Sequence, residues 1–341
     1  TIGGWGGIAG FLGYDQPNLF GQAKSGHLRW EFGRRYNNFS ASYTDPAIRG
    51  SQISGSLSVF STKENRFFNF PEGERRRTGG SVRFGFPLPV DRRFSRVFVG
   101  YQLSRTAYND FGEDTGDIFS LPPGFLSTVT LSLARNTLDS PLFPTVGTRH
   151  ELRGELSGGP LGGDGDFQKY TAAGQWWAPV GQFGGGQIGV RPVRMALGLT
   201  AEAGAILGDA SNFPFERFWM GGVQFGESLR GYEETTITPL GYIPKGSAGV
   251  ALSNRLGKAF VRLSAEYAIR FNDNVSVSAF GDAGSLWADP LAVNPTRLFR
   301  GAGIGVQLVT PFGPMGLDYG YGFDKTEPGW QLHFKFGQQG L

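Results

Sequence analysis

Histidines, carboxylates and nucleophiles are the usual raw material of an active site, and their spacing here assembles none. His27, His150 and His333 lie far apart, with no partner at metal-ligand or triad spacing. The chain has no cysteine, which excludes disulfide scaffolds, thiolate metal sites and cysteine nucleophiles. Gly301-Ala302-Gly303-Ile304-Gly305 superficially suggests a dinucleotide loop, yet it lacks the following helix and sits in an alternating, strand-like stretch. No nucleophile, general base, bound metal or cofactor is therefore expected, and the chain reads as a non-enzyme. Glu74-Arg75-Arg76-Arg77 reads as solvated charge in a long loop, with anionic lipid headgroups as the sharper alternative. The segment that stands apart is Trp219-Met220-Gly221-Gly222-Val223-Gln224-Phe225-Gly226-Glu227-Ser228-Leu229-Arg230-Gly231-Tyr232, inside the longest loop of the chain.

The elements that must position such a loop follow from composition and periodicity. Among 341 residues, 32 Lys+Arg face 29 Asp+Glu, so the net charge of +3 supplies no global field for nucleic acid. Gly (55) and aromatics (14%) are both abundant, which argues for β structure over disorder. The longest stretch without a charge, Tyr170 to Val190, contains Pro179 and six glycines, so it is no transmembrane helix. Thr1-Ile2-Gly3-Gly4-Trp5 has no features of a signal peptide and there is no initiator Met, so the chain is expected to begin inside a longer precursor.

Period-2 alternation recurs almost everywhere. Leu152, Gly154 and Leu156 alternate with Arg149, Glu151, Arg153 and Glu155. Val261, Leu263, Ala265, Tyr267 and Ile269 likewise alternate with Arg262, Ser264, Glu266 and Arg270. One face of each strand is greasy and the other ionic. Fifteen strands are expected, near residues 5–16, 22–34, 38–45, 52–62, 78–87, 94–107, 125–136, 147–157, 166–178, 193–206, 258–271, 274–287, 298–310, 315–323 and 330–339. Short Pro/Gly/Asn turns, such as those after Asp45, Ala178 and Phe271, alternate with longer connections, the longest at 207–257. A soluble sandwich also alternates. It does not explain ionic faces opposed to Leu, Val and aromatics across so many strands without a helix, whereas an all-β, antiparallel transmembrane barrel does, with apolar faces to lipid and charges to the lumen.

Gly221-Gly222 followed by Leu229-Arg230-Gly231-Tyr232 resembles the (V/L)RGF/Y motif in loop six of the BamA superfamily. Asp139-Ser140-Pro141-Leu142-Phe143-Pro144-Thr145-Val146-Gly147-Thr148-Arg149 resembles that family's D-x-x-x-F-P-T-x-G-T-R turn. Phe280-Gly281-Asp282-Ala283-Gly284 with Trp287 is similar to its F-x-D-x-G strand, and Thr310-Pro311-Phe312-Gly313-Pro314 to its penultimate hairpin. The similarity covers essentially the whole chain.

The resemblance implies a sixteen-stranded barrel of which residues 1–341 carry about fifteen strands, the first strand and the POTRA domains lying upstream of Thr1. It implies that Arg230 enters the lumen and meets inward acids. Strand parity puts Asp282 and Glu266 inward, so Arg230 should pair with Asp282, with Glu266 nearby, because an unpaired buried cation is costly. It further implies an integral protein of the bacterial outer membrane that folds and inserts nascent β-barrel proteins, with accessory lipoproteins and outer-membrane lipid as partners. The last strand, Trp330, Leu332, Phe334, Phe336 and Gly337, would form one side of a seam. The chain ends Gln338-Gln339-Gly340-Leu341 without the family's usual terminal aromatic. A protein-translocation pore of the two-partner-secretion kind stays open as an alternative, as does a passive porin.

Overall fold

The structure is a computed structural model that describes residues 10–33, 36–64, 73–110, 121–185, 192–224, 226–245, 247, 252–310 and 313–336. Residues 1–9, including the start of the expected first strand, and Pro311, Phe312 and Gly337 lie outside the described residues, as does the Phe336 side chain.

Fifteen strands form one sheet in simple chain order, every neighbouring pair antiparallel. They are β1 Gly10–Leu19, β2 Lys24–Phe32, β3 Tyr36–Asp45, β4 Ser54–Glu64, β5 Gly73–Pro87, β6 Ser95–Asp110, β7 Gly124–Asn136, β8 Gly147–Gly158, β9 Asp166–Phe183 and β10 Val193–Asp209. After the long loop come β13 Ala259–Arg270, β14 Val275–Trp287, β15 Phe299–Thr310, β16 Gly313–Gly322 and β17 Gly329–Phe336. The loop itself carries a two-residue ladder, β11 Ile237–Thr238 with β12 Gly241–Tyr242. Helical structure among the described residues is confined to 3-10 turns of three or four residues.

The alternation sorts as its chemistry demands. Leu28, Trp30, Leu57, Leu131, Leu152, Leu199, Leu263, Tyr267, Ile304, Leu317 and Leu332 are exposed on the outer face, where lipid takes the place of water. Their neighbours Ser278, Asp282, Asp318 and His333 are buried on the inner one. No ladder joins β1 to β17 among the described residues.

Two expectations are corrected. Glu74-Arg75-Arg76-Arg77 is not loop: it lies in β5, opposite the end of β4. Lys63 Nζ meets Glu74 at 2.8 Å and Arg75 meets Glu64 at 2.8 Å, so cross-strand ion pairs extend the hairpin beyond the apolar band. Strand β9 continues past Ala178 to Phe183, with a register shift that leaves Val180 unmatched directly after Pro179, which itself stays opposite Ala196 and cannot donate to a ladder.

Candidate functional site

The loop between β10 and β13 turns back into the barrel and supplies most of its apolar interior. Phe213, Phe218, Met220, Leu229, Tyr232 and Ile237 pack with Ile206, Phe260 and Leu286 of the wall in one buried cluster. The chain reverses tightly within it. Gly222 N–H donates to the Tyr232 carbonyl at 3.0 Å and Leu229 N–H to the Gly222 carbonyl at 2.9 Å, so Gly222 lies beside the Leu-Arg-Gly-Tyr end, while Gly221 N–H donates to the Glu227 carbonyl at 3.1 Å. The Glu234 carboxylate caps this reversal by accepting from Val223 N–H (2.7 Å) and Gln224 N–H (2.9 Å).

Arg230 sits at the centre, 5% exposed. Its Nε and Nη2 donate to the two carboxylate oxygens of Asp282, each at 2.7 Å, the forked geometry that suits guanidinium and carboxylate best. Nη1 donates to Glu266 at 3.1 Å and Nη2 to the Ser264 hydroxyl at 3.0 Å. Ser264 in turn donates to Asp282 at 2.6 Å. The guanidinium lies 3.5 Å from the Phe280 ring centre, and Asp318 closes the fourth side at 4.0 Å. Burial works against the charged form, but Asp282 first, then Glu266 and Asp318, outweigh it and hold the guanidinium well above its ordinary value. The sequence-predicted trio of Arg230, Asp282 and Glu266 is thus brought together.

The flanking motif residues are equally fixed. Leu229 and Tyr232 are fully buried. The Tyr232 hydroxyl donates to the Arg300 carbonyl at 2.7 Å and accepts from Asp324 N–H at 3.2 Å. Gly231 adopts φ +93, and a Cβ there would lie 2.8 Å from the Tyr321 carbonyl carbon, so only glycine fits. The wall facing it is bare backbone: a Cβ on Gly320 would lie 2.7 Å from Gly231 N, and one on Gly322 2.5 Å from Gly231 O.

Sequence reasoning missed Ser264, Phe280, Asp318, the glycine wall and, above all, His333, whose Nε2 accepts from Gly231 N–H at 2.9 Å. Asp318 was readable as the lone charge in an apolar alternating strand. His333 had no such signal. Of the seam residues, Trp330, Leu332 and Phe334 face outward and are exposed.

The turn at Asp139 also acquires a physical reason. Its carboxylate accepts from Thr145 N–H (2.7 Å), Val146 N–H (3.2 Å) and the Thr145 hydroxyl, which fixes the D-x-x-x-F-P-T spacing. Partial burial resists ionisation there, but these bonds with Thr145 and Val146 win and lower the carboxyl below its ordinary value. Phe143 of that turn lies under the Arg270 guanidinium, at the rim of a cavity of ≈ 720 Å³ beneath the loop, lined by Arg149, Arg153, Arg262, Glu266 and Lys335 among others. Among the described residues no cluster of side chains could hold a metal ion.

An antiparallel sheet with an apolar outer face, an ionic lumen and a long loop bolted inside it defines an integral outer-membrane β-barrel domain. Residues 18–339 match the family model described as the Omp85 superfamily domain, and the chain belongs to that superfamily. It is 27% identical over 334 residues to the outer membrane protein assembly factor BamA of Nitratidesulfovibrio vulgaris, covering 95% of this chain and 39% of the relative. It is 25% identical over 376 residues to the factor of the same name from Neisseria meningitidis serogroup B, covering 97% and 44%. The crystal structure of BamA from Haemophilus ducreyi lacking POTRA domains 1–3 shares the fold, with a TM-score of 0.73 at 18% identity, over 96% of this chain and 66% of that one. The chain spans about two fifths of the length of the curated relatives it matches.

Proposed function

We propose that this chain is the barrel domain of a non-catalytic outer-membrane assembly factor, which folds and inserts nascent β-barrel proteins at a seam between its first and last strands. The observation that carries this reading is a rigid interior combined with a last strand whose outer side has no ladder among the described residues. The long loop is bolted to β13 and β14 through Arg230, while β17 has a ladder only with β16 among the described residues. An edge strand offers a row of free N–H and C=O groups to which an incoming strand can add by β-augmentation. The outward Trp330, Leu332 and Phe334 would keep such a hybrid sheet in lipid. On this reading the whole protein also carries POTRA domains before the barrel and works with accessory lipoproteins; the curated relatives are more than twice the length of this chain, and the Haemophilus ducreyi protein has POTRA domains.

The test places a photocrosslinking residue at Leu332 or Leu263 of the full-length protein in its native membrane. Adducts with a barrel client during its assembly are expected at Leu332 and not at Leu263. Equal labelling at both sites would overturn the reading. So would a client that crosses to the outside without entering the bilayer, the outcome a translocation pore gives.

A further inference from the structure

Gly231 of the loop motif and His333 of the last strand are separated by 102 positions in sequence, yet they share a buried hydrogen bond of 2.9 Å. Its direction is chemically restrictive. A backbone N–H can only donate, so the His333 Nε2 must carry a lone pair, and the ring proton resides on Nδ1. The bond exists only with the neutral ring. A second contact runs the same way, from the Gln224 side-chain amide to the Phe334 carbonyl at 3.3 Å.

The partners have little freedom to drift apart and re-form elsewhere. Gly231 is wedged against Gly320 and Gly322 at near-contact distance, and the preceding Arg230 is held by its carboxylates. On the other side, β17 pairs only with β16 among the described residues, so contacts from the lumen are a large share of what orders it there.

The charges facing His333 come from three elements besides its own. Asp318 lies directly opposite on β16, Arg230 comes from the loop, Lys325 from the turn after β16 and Lys335 from β17 itself. The one acid is already engaged, by Lys335 at 2.5 Å. A proton on Nε2 would therefore remove the acceptor for Gly231 and add a cation among three others.

We propose that His333 is a positioning residue that latches the tip of the long loop to the seam strand through its neutral ring, so that proton uptake at Nε2 releases β17 from the loop. This deepens the seam reading above and rests on it for its consequence. The latch itself stands on the geometry alone.

The experiment follows amide hydrogen exchange of the Leu229–Glu233 segment and of β17 in the full-length protein in lipid nanodiscs, without client. Rates are corrected for intrinsic exchange. In the wild type, protection of both segments should fall roughly tenfold between about pH 7.5 and about pH 4, the size expected for one lost buried hydrogen bond. His333→Gln keeps an acceptor that does not titrate, and it carries the same carboxylates. Its protection should stay high across the range, whereas His333→Leu should be low at every pH. A Gln variant that loses protection in parallel with the wild type, or a Leu variant that retains full protection at neutral pH, would overturn the latch. Should the Leu variant fail to fold on heat-modifiability gels, the wild-type and Gln profiles decide alone. A latch that behaves as stated while Leu332 captures no client would count against the seam and not against His333.

Discussion

Strands β1–β4 and strands β13–β17 obey the same alternation and meet opposite fates. In β1–β4 no described residue is buried: Arg29 pairs with Glu31 at 2.7 Å and remains in water, its side chain 63% exposed. In β13–β17 the inward residues Ser276, Ser278, Asp282, Asp318 and His333 are buried, and the loop reaches Asp282, Asp318 and His333 directly. Lipid-facing residues do not differ between the halves. An alternating pattern thus sets which way a residue points, and a distant segment decides whether that direction is wet or dry.

The comparison breaks most severely at Arg230. Arg230→Ala leaves the carboxylate of Asp282 buried without its partner and should cost about 3–5 kcal/mol, read as a lower urea midpoint and lost heat-modifiability of the barrel. Retention of wild-type heat-modifiability would mean that the dry half does not depend on its ion cluster. The lipid face should show no asymmetry: Leu263→Arg and Leu57→Arg, one in each half, should each cost about 2–4 kcal/mol near the bilayer midplane. A large inequality between them would show that the halves differ outside as well as inside. Gly320→Ala drives a methyl against Gly231 and should cost about 1–3 kcal/mol by overpacking, whereas a matching change at Gly13, whose Cβ would meet only the Leu28 carbonyl at 4.0 Å, should be nearly neutral.

Glu227 sharpens the comparison through pH. Burial first, and then Glu202, push its carboxyl up to about 7. In the acid range above its unfolded value the native state binds more protons than the unfolded one, so stability is fully present below that value and is lost as pH rises through about 7. Unfolding midpoints measured from mildly acid to mildly alkaline pH should fall by the equivalent of about 1–2 kcal/mol, and Glu227→Gln should flatten the curve. A midpoint that rises with pH would reverse the assignment. The smallest effect is expected in the wet half, where Arg29→Ala should change stability by about 0–1 kcal/mol.

The strand count and lipid-facing parity were legible because β alternation is local. The pairing of Arg230 with Asp282 was legible too, from the loop motif joined to that parity. The Glu74 to Arg77 segment misled because its strand character comes from Lys63 and Glu64 across the hairpin, which no local window contains. His333 was unreadable for a similar reason: parity made it inward, but what it meets depends on the stagger of β17 against a loop more than a hundred residues earlier.

The separations of those contacts carry a consequence for the order of folding. Arg230 binds Asp282 52 positions later, Gly231 binds His333 102 positions later, and Gln224 reaches Phe334 110 positions later. The earlier strands give the loop an apolar seat, but the strands that bind Arg230 and Gly231 all follow it, so a chain emerging from its N-terminal end carries the motif without its polar partners until the last third of the sequence. Contacts of such long range form late, since the entropy of closing large loops must be met before they contribute. Seating therefore begins when β13 and β14 supply Glu266 and Asp282, and is complete only with the final hairpin, which brings His333 and the Phe334 carbonyl to the loop.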